Sequence, residues 1–112
     1  MMHLALVLFG LIPHQNVSDT LRSGDAHNYH LEGFADNASV IIRVTGNGKG
    51  DLDCYVIREK RVVSSDESNS DTCALQAKYT KGTILMVVNN GQATDKFTIV
   101  IGEYENIRSI DY

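Results

Sequence analysis

The chain has no tryptophan, a single proline and only two cysteines among its 112 residues. Two cysteines cannot fill the four positions of a structural zinc site, and no CxxC or HxxxH spacing supplies the rest. Positive charge is also scarce. Ten Lys and Arg stand against 14 Asp and Glu, for a net charge of -4. A nucleic-acid binder needs a basic face to meet phosphate, so the charge argues against that class. No apolar run approaches the roughly 20 residues that cross a bilayer as a helix, and no segment keeps a 3.6-residue period beyond two turns. What is present is ordinary globular material, with 43% hydrophobic and 21% charged residues. The length fits one domain with one core.

Residues 4–12 read LALVLFGLI, nine apolar residues without a charge. That length falls within a secretory h-region of roughly 7–15 residues. The flanks fit less well: Met1, Met2 and His3 supply no Lys or Arg, and no A-x-A site follows. A buried strand fits the same run. The chain thus divides into residues 1–16, a signal peptide or an N-terminal apolar strand, and residues 17–112, one β domain. Cys54 and Cys73 fit one disulfide of an exported protein, with two buried inert thiols as the alternative.

From residue 28 onward, short β runs alternate with turn signals. Val40, Ile42 and Val44 share one face of SVIIRVT (39–45), a run rich in β-branched residues. Leu52, Cys54 and Val56 share one face of DLDCYVIR (51–58). Cys73, Leu75, Ala77 and Tyr79 alternate with polar or small neighbours. Residues 83–89 are nearly all apolar, and Phe97, Ile99 and Ile101 alternate with Thr98 and Val100. Residues 46–50 (GNGKG) are read as a hairpin connection, and 64–71 as a polar loop. About seven strands at this spacing predict an antiparallel β-sandwich or barrel. Val40, Ile42, Val44, Leu52, Val56, Phe97, Ile99 and Ile101 are its expected core. By alternation both cysteines face inward, which predicts a Cys54–Cys73 bridge with Cα atoms about 4.4–6.8 Å apart.

Few motifs carry chemistry. Residues 46–50 resemble a phosphate loop, but a P-loop needs Lys-Ser/Thr and a following helix, whereas Asp51 and a strand follow here. His27 and His30 are three apart, so on a strand they face opposite ways and share no metal. No G-x-S-x-G elbow exists, and an inward thiol lacks activation. The acidic residues are the site-like feature. Asp51 and Asp53 leave one face of their strand, and Asp66, Glu67 and Asp71 follow nearby. Hard oxygen donors suit Ca²⁺, so Asp51 and Asp53 are the candidate metal ligands. The plainer reading is solvated surface charge, balanced by Lys49 or Arg61.

The ordered series GDLDCYVI (50–57), VVSSDESNSDTCALQAKYTKGTILMVVNNG (62–91) and KFTIVI (96–101), with Ser23-Gly24-Asp25 and Tyr29 before it, resembles the bacterial pre-peptidase C-terminal domain family over about residues 17–101. The resemblance implies an all-β, jelly-roll-like antiparallel sandwich of about seven to eight strands. It also implies a non-catalytic module appended to secreted proteases and other exported hydrolases. Some such domains bind collagen or polysaccharide, and some bind calcium near the first strands and the Asp-Leu-Asp region. These 112 residues hold no catalytic domain, so the resemblance implies either a free-standing family member or a fragment of a longer exported protein.

The leading expectation is therefore an exported module, secreted, periplasmic or at the cell surface, that binds or displays an extracellular protein or polysaccharide. Its alternative is a structural subunit of a surface assembly or filament, a homo-oligomer built by strand exchange through residues 4–12. A small hydrolase ranks last, because the parts of an active site do not assemble.

Overall fold

The computed structural model describes residues 10–11 and 16–103. They form β1 (Gly10–Leu11), β2 (Asn16–Leu21), β3 (Ala26–Leu31), β4 (Ser39–Thr45), β5 (Leu52–Arg58), β6 (Arg61–Asp66), β7 (Thr72–Lys78), β8 (Ile84–Asn89) and β9 (Asp95–Glu103). One sheet runs β1-β3-β8-β5-β6 and the other β2-β9-β4-β7. β2 to β9 pair antiparallel throughout, while the two-residue β1 lies parallel to β3. The expected sandwich of seven to eight strands is present. Of the N-terminal segment 1–16, only Gly10, Leu11 and Asn16 lie within the described residues.

The pairings are nested. β5 pairs with β6, β4 with β7, β3 with β8 and β2 with β9. Every connection from β2 to β9 passes between the sheets except β5–β6. This is the double Greek key of a jelly roll, in which a long antiparallel ribbon is wrapped into a sandwich. It also corrects two expectations. Residues 46–50 are not a hairpin: they carry the chain from β4 in one sheet to β5 in the other, across the spacing of about 10 Å that separates packed sheets. Residues 64–66 are not loop: they complete β6. An edge strand bonds on one side only, so a polar sequence suffices there.

The alternation read from the sequence places the core. Val40, Ile42, Val44, Phe97, Ile99 and Ile101 from one sheet face Leu52 and Val56 from the other, each at most 1% exposed. Tyr29, Leu85 and Val87 join them. The Cys54–Cys73 disulfide forms across this core, with Cα atoms 6.2 Å apart. It ties β5 of one sheet to β7 of the other.

The β5–β6 hairpin turns on Glu59 and Lys60, both at positive φ (54° and 65°). Two central residues of this kind define a type I′ turn, which Asn-Gly tolerates best. Left-handed backbone costs a residue with a Cβ roughly 1–2 kcal/mol. Replacing Glu59-Lys60 by Asn-Gly is expected to raise stability by about 1 kcal/mol, measured by urea denaturation. An unchanged or lower midpoint would show that this turn carries no strain.

Candidate functional site

The connections 22–25, 46–51, 67–71 and 90–94 meet at one end of the sandwich, because β2, β4, β6 and β8 finish there and β3, β5, β7 and β9 begin there. Asn89, fully buried at the end of β8, organises this end. Its side-chain N–H groups donate to the Leu21 and Ala93 carbonyls at 3.0 and 2.8 Å, and its side-chain oxygen accepts from Gly91 N–H at 2.9 Å. The backbone closes the same end. Gly24 N–H donates to Asn89 O, Asn90 N–H to Asp51 O, Leu52 N–H to Ser70 O and Gly46 N–H to Asp71 O.

Four aspartates stand within this framework. Each keeps one buried carboxylate oxygen with no hydrogen-bond partner: Asp51 Oδ1, Asp53 Oδ1, Asp71 Oδ1 and Asp95 Oδ2. Such an atom bears the full cost of desolvation, so a cluster of four is unusual for a stable fold. Asp53 accepts a short hydrogen bond from the Asn90 side chain. Burial raises its pKa; the Asn90 bond opposes this, while Asp51, Glu67 and Asp66 raise it further. Asp71 Oδ2 accepts from Gly48 N–H at 2.6 Å, and Asp95 Oδ1 accepts from Asn47 N–H at 3.0 Å. Asp95 is 0% exposed. Its burial and the neighbouring Asp71 carboxylate push its pKa up to about 6, against the pull of backbone N–H groups.

Asp53 feels the charges of Asp51, Glu67 and Asp66, while Asp71 and Asp95 form a pair of their own against Gly50. Among the described residues neither Lys49 nor Arg61 forms an ion pair with any of the four. Nor do three or more His, Cys, Asp or Glu side chains close into a metal cage there. The group is an open arrangement of carboxylates. Asp66 and Glu67 have other duties: Asp66 accepts from Ala74 N–H at 2.9 Å, and Glu67 accepts from the Tyr55 hydroxyl at 2.7 Å. The Ala74 bond is the main reason Asp66 stays below the ordinary carboxylate range. Asp95 stands two residues before Phe97, on the inward face it shares with Ile99 and Ile101, so the alternation carried one step back from Phe97 is the signal that could have found it.

A second polar group lies under β2 and β3. The buried Tyr29 hydroxyl donates to Asp19 Oδ2 at 2.6 Å, and His27 Nδ1 lies 3.0 Å from the same oxygen. Burial works to raise the pKa of Asp19, but the Tyr29, Thr20 and His27 contacts outweigh it and leave the pKa lowered. His30, on the opposite face of β3, is exposed, as the odd spacing of the two histidines predicts. At the far end, an open cleft of about 650 Å³ is lined by His30, Phe34, Asp36, Tyr79 and Lys81 among others. Its two aromatic rings pack on each other, with centroids 5.4 Å apart, and both are buried. They offer no flat platform to a ligand.

The raised Asp95 pKa has a measurable sign. The folded state holds this proton more tightly than the unfolded state does. Its contribution to stability is therefore full below its ordinary value of 3.8 and is lost as pH rises towards about 6. In metal-free buffer, Asp95→Asn is expected to gain on the wild type as pH goes from 4 to 7, measured by urea midpoints at both values. A constant difference between the two proteins would contradict the raised pKa.

No family model matches the chain, and no curated protein matches it in sequence. Solved structures share its fold. The pre-peptidase C-terminal domain of a collagenase from Bacillus anthracis superposes with a TM-score of 0.63 at 12% identity, covering 82% of this chain and 91% of that one. The Yersinia pseudotuberculosis-derived mitogen gives 0.60 at 11% identity, covering 81% and 86%. PliG, a periplasmic inhibitor of g-type lysozyme from Aeromonas hydrophila, gives 0.55 at 11%, covering 85% and 99%. The fold resemblance to the pre-peptidase C-terminal domain, read first from the ordered series of strand and turn motifs, is present in the structure.

Proposed function

We propose that the chain is an exported, non-catalytic β-sandwich module that binds an extracellular protein or polysaccharide. The observation that carries this reading is a jelly roll held across its core by a disulfide, a bond that persists in oxidising compartments. Its fold neighbours support the reading. One is a domain of a collagenase and another a periplasmic inhibitor of g-type lysozyme. The functional end is built from loops on a rigid sandwich, the usual arrangement for recognition.

The test is co-sedimentation of the oxidised protein with fibrous collagen and with insoluble polysaccharides, alongside inhibition of g-type lysozyme. Saturable retention on one polymer, or inhibition, supports a binding module. A monomer that engages none of them, and is found reduced in the cytoplasm, would sink the proposal. The second reading, an assembly subunit using residues 4–12, rests on Gly10–Leu11 lying parallel to His30–Leu31 along the five-stranded sheet. Light scattering separates the two: concentration-dependent oligomers that vanish when residues 4–12 are deleted favour the subunit.

A further inference from the structure

The outer face of the four-stranded sheet runs against the charge of the molecule. The chain has a net charge of -4. Yet the outward positions of β2, β4, β7 and β9 carry Arg43, Lys78 and Lys96, all exposed, and no carboxylate. The other outward residues are hydroxyl, amide, small or aliphatic, with no aromatic ring. Among the described residues none of the three cations forms an ion pair. At the β7 edge, Asp66 is taken up by Ala74 N–H.

The three cations are evenly placed. Arg43 of β4 lies opposite Val100 of β9, which is four residues from Lys96. On the other side, Ser39 is four residues from Arg43 and lies opposite Lys78 of β7. Each step from Lys96 to Arg43 to Lys78 therefore moves four residues along the sheet and one strand across. With a rise of about 3.4 Å per residue and strands about 4.8 Å apart, each step is about 14 Å. Four residues of extended chain span nearly the same distance, about 13–14 Å. Beside Arg43 the face is hollow. Gly102 has no side chain, and a cleft of about 590 Å³ is lined there by Ile41, Val100 and Asn16 among others. Val100 is 47% exposed. Glu103 also lines this cleft, three residues along β9 from Val100, and turns an incoming carboxylate towards Arg43.

We propose that this face binds an extended acidic segment of a partner protein. Its carboxylates, four residues apart, meet Lys96, Arg43 and Lys78, and one apolar side chain enters the cleft between Ile41 and Val100. Side chains at even spacings on an extended chain leave the same side. One segment thus reaches all three cations, and the residue two positions from the central carboxylate reaches the cleft. Phosphates along a nucleic acid repeat far more closely than 14 Å, and the face has no ring on which a base could stack. The surface lies on the flank of the sandwich rather than at its loop end, and it goes beyond the binding-module reading.

The experiment is fluorescence anisotropy of the oxidised protein with a labelled synthetic peptide. The peptide is a Ser/Thr-rich chain with three glutamates at every fourth position and a leucine two residues from the central one. A second peptide of the same composition has its glutamates adjacent. At low salt the wild type should bind the first saturably, with Kd below about 1 mM, and several-fold more tightly than the second. Arg43→Gln, Lys78→Gln and Lys96→Gln should each weaken binding by about 2–5-fold, and the triple variant should lose it. Val100→Glu, which sets a carboxylate opposite Arg43, should bind no better than Arg43→Gln. Lys81→Gln, in the far-end cleft, should bind as the wild type does. All five positions are exposed, and thermal melts show that the variants fold. The proposal is overturned if the wild type ignores the spaced peptide, if the clustered peptide binds equally, or if the triple variant keeps its affinity. It is also overturned if a sulfated oligosaccharide binds more tightly than the peptide. Co-sedimentation with collagen or polysaccharide tests the other reading: its failure leaves this surface standing, and loss of peptide binding leaves that reading standing.

Discussion

Ile42→Ala should destabilise the protein by about 2–5 kcal/mol. Ile42 lies at the middle of β4, fully buried, between Leu75 of β7 and Ile101 of β9 in register. β4 is an interior strand of its sheet, so the surroundings cannot collapse into the space left by truncation. The loss combines transfer free energy with an unfilled cavity. Against a total of about 5–15 kcal/mol for a domain, this is a large fraction. Lys78→Ala, at an exposed end of β7, should change stability by no more than about 0.5 kcal/mol. Urea denaturation of both variants checks the pair. Similar small effects at the two positions would mean that the inward register of β4 is wrong.

Removing the disulfide by Cys54→Ala with Cys73→Ala should cost about 2–5 kcal/mol. The cysteines are 19 residues apart, and closing a loop of that size restricts the unfolded chain by about 3 kcal/mol in the chain-entropy model. The bridge also joins strands of opposite sheets, so its loss leaves two small voids between β5 and β7. Melting the oxidised protein with and without reductant, beside the double variant, measures the effect. A Tm unchanged in both cases would show that the bridge adds nothing to the fold.

The core was legible because its residues obey period two. Val40, Ile42, Val44 and Phe97, Ile99, Ile101 alternate with residues that face outward, and nothing at those positions competes with the pattern. β2 was not legible. Its inward residues are Val17, Asp19 and Leu21, and an inward aspartate breaks the apolar series. Asp19 is tolerated there because Tyr29 and His27 of the next strand meet its carboxylate, a contact across strands that alternation along one strand does not show. The hairpin reading of residues 46–50 failed for a related reason. Glycine shows that the chain turns but not to which sheet it goes. Asp51 and Asp53 stood out because they are neighbours on one strand. Asp71 and Asp95 are 24 positions apart in the sequence, and only the wrapping of the ribbon brings them together.

That wrapping also sets the order in which the molecule can be completed. Among the described residues β2 has a single strand partner, β9, and β9 is the last strand of the described fold. A chain emerging N-terminus first therefore presents β2 and one side of β4 as open edges until its final strand arrives. Only the β5–β6 ribbon closes over a short separation, and each further pairing spans a wider stretch of chain. Such a topology folds slowly because distant segments must meet before burial rewards them. Open edges over that interval invite pairing with other chains. The inner ribbon and its nearby cysteines are therefore the natural place for order to begin, with the N-terminal strand sealed last.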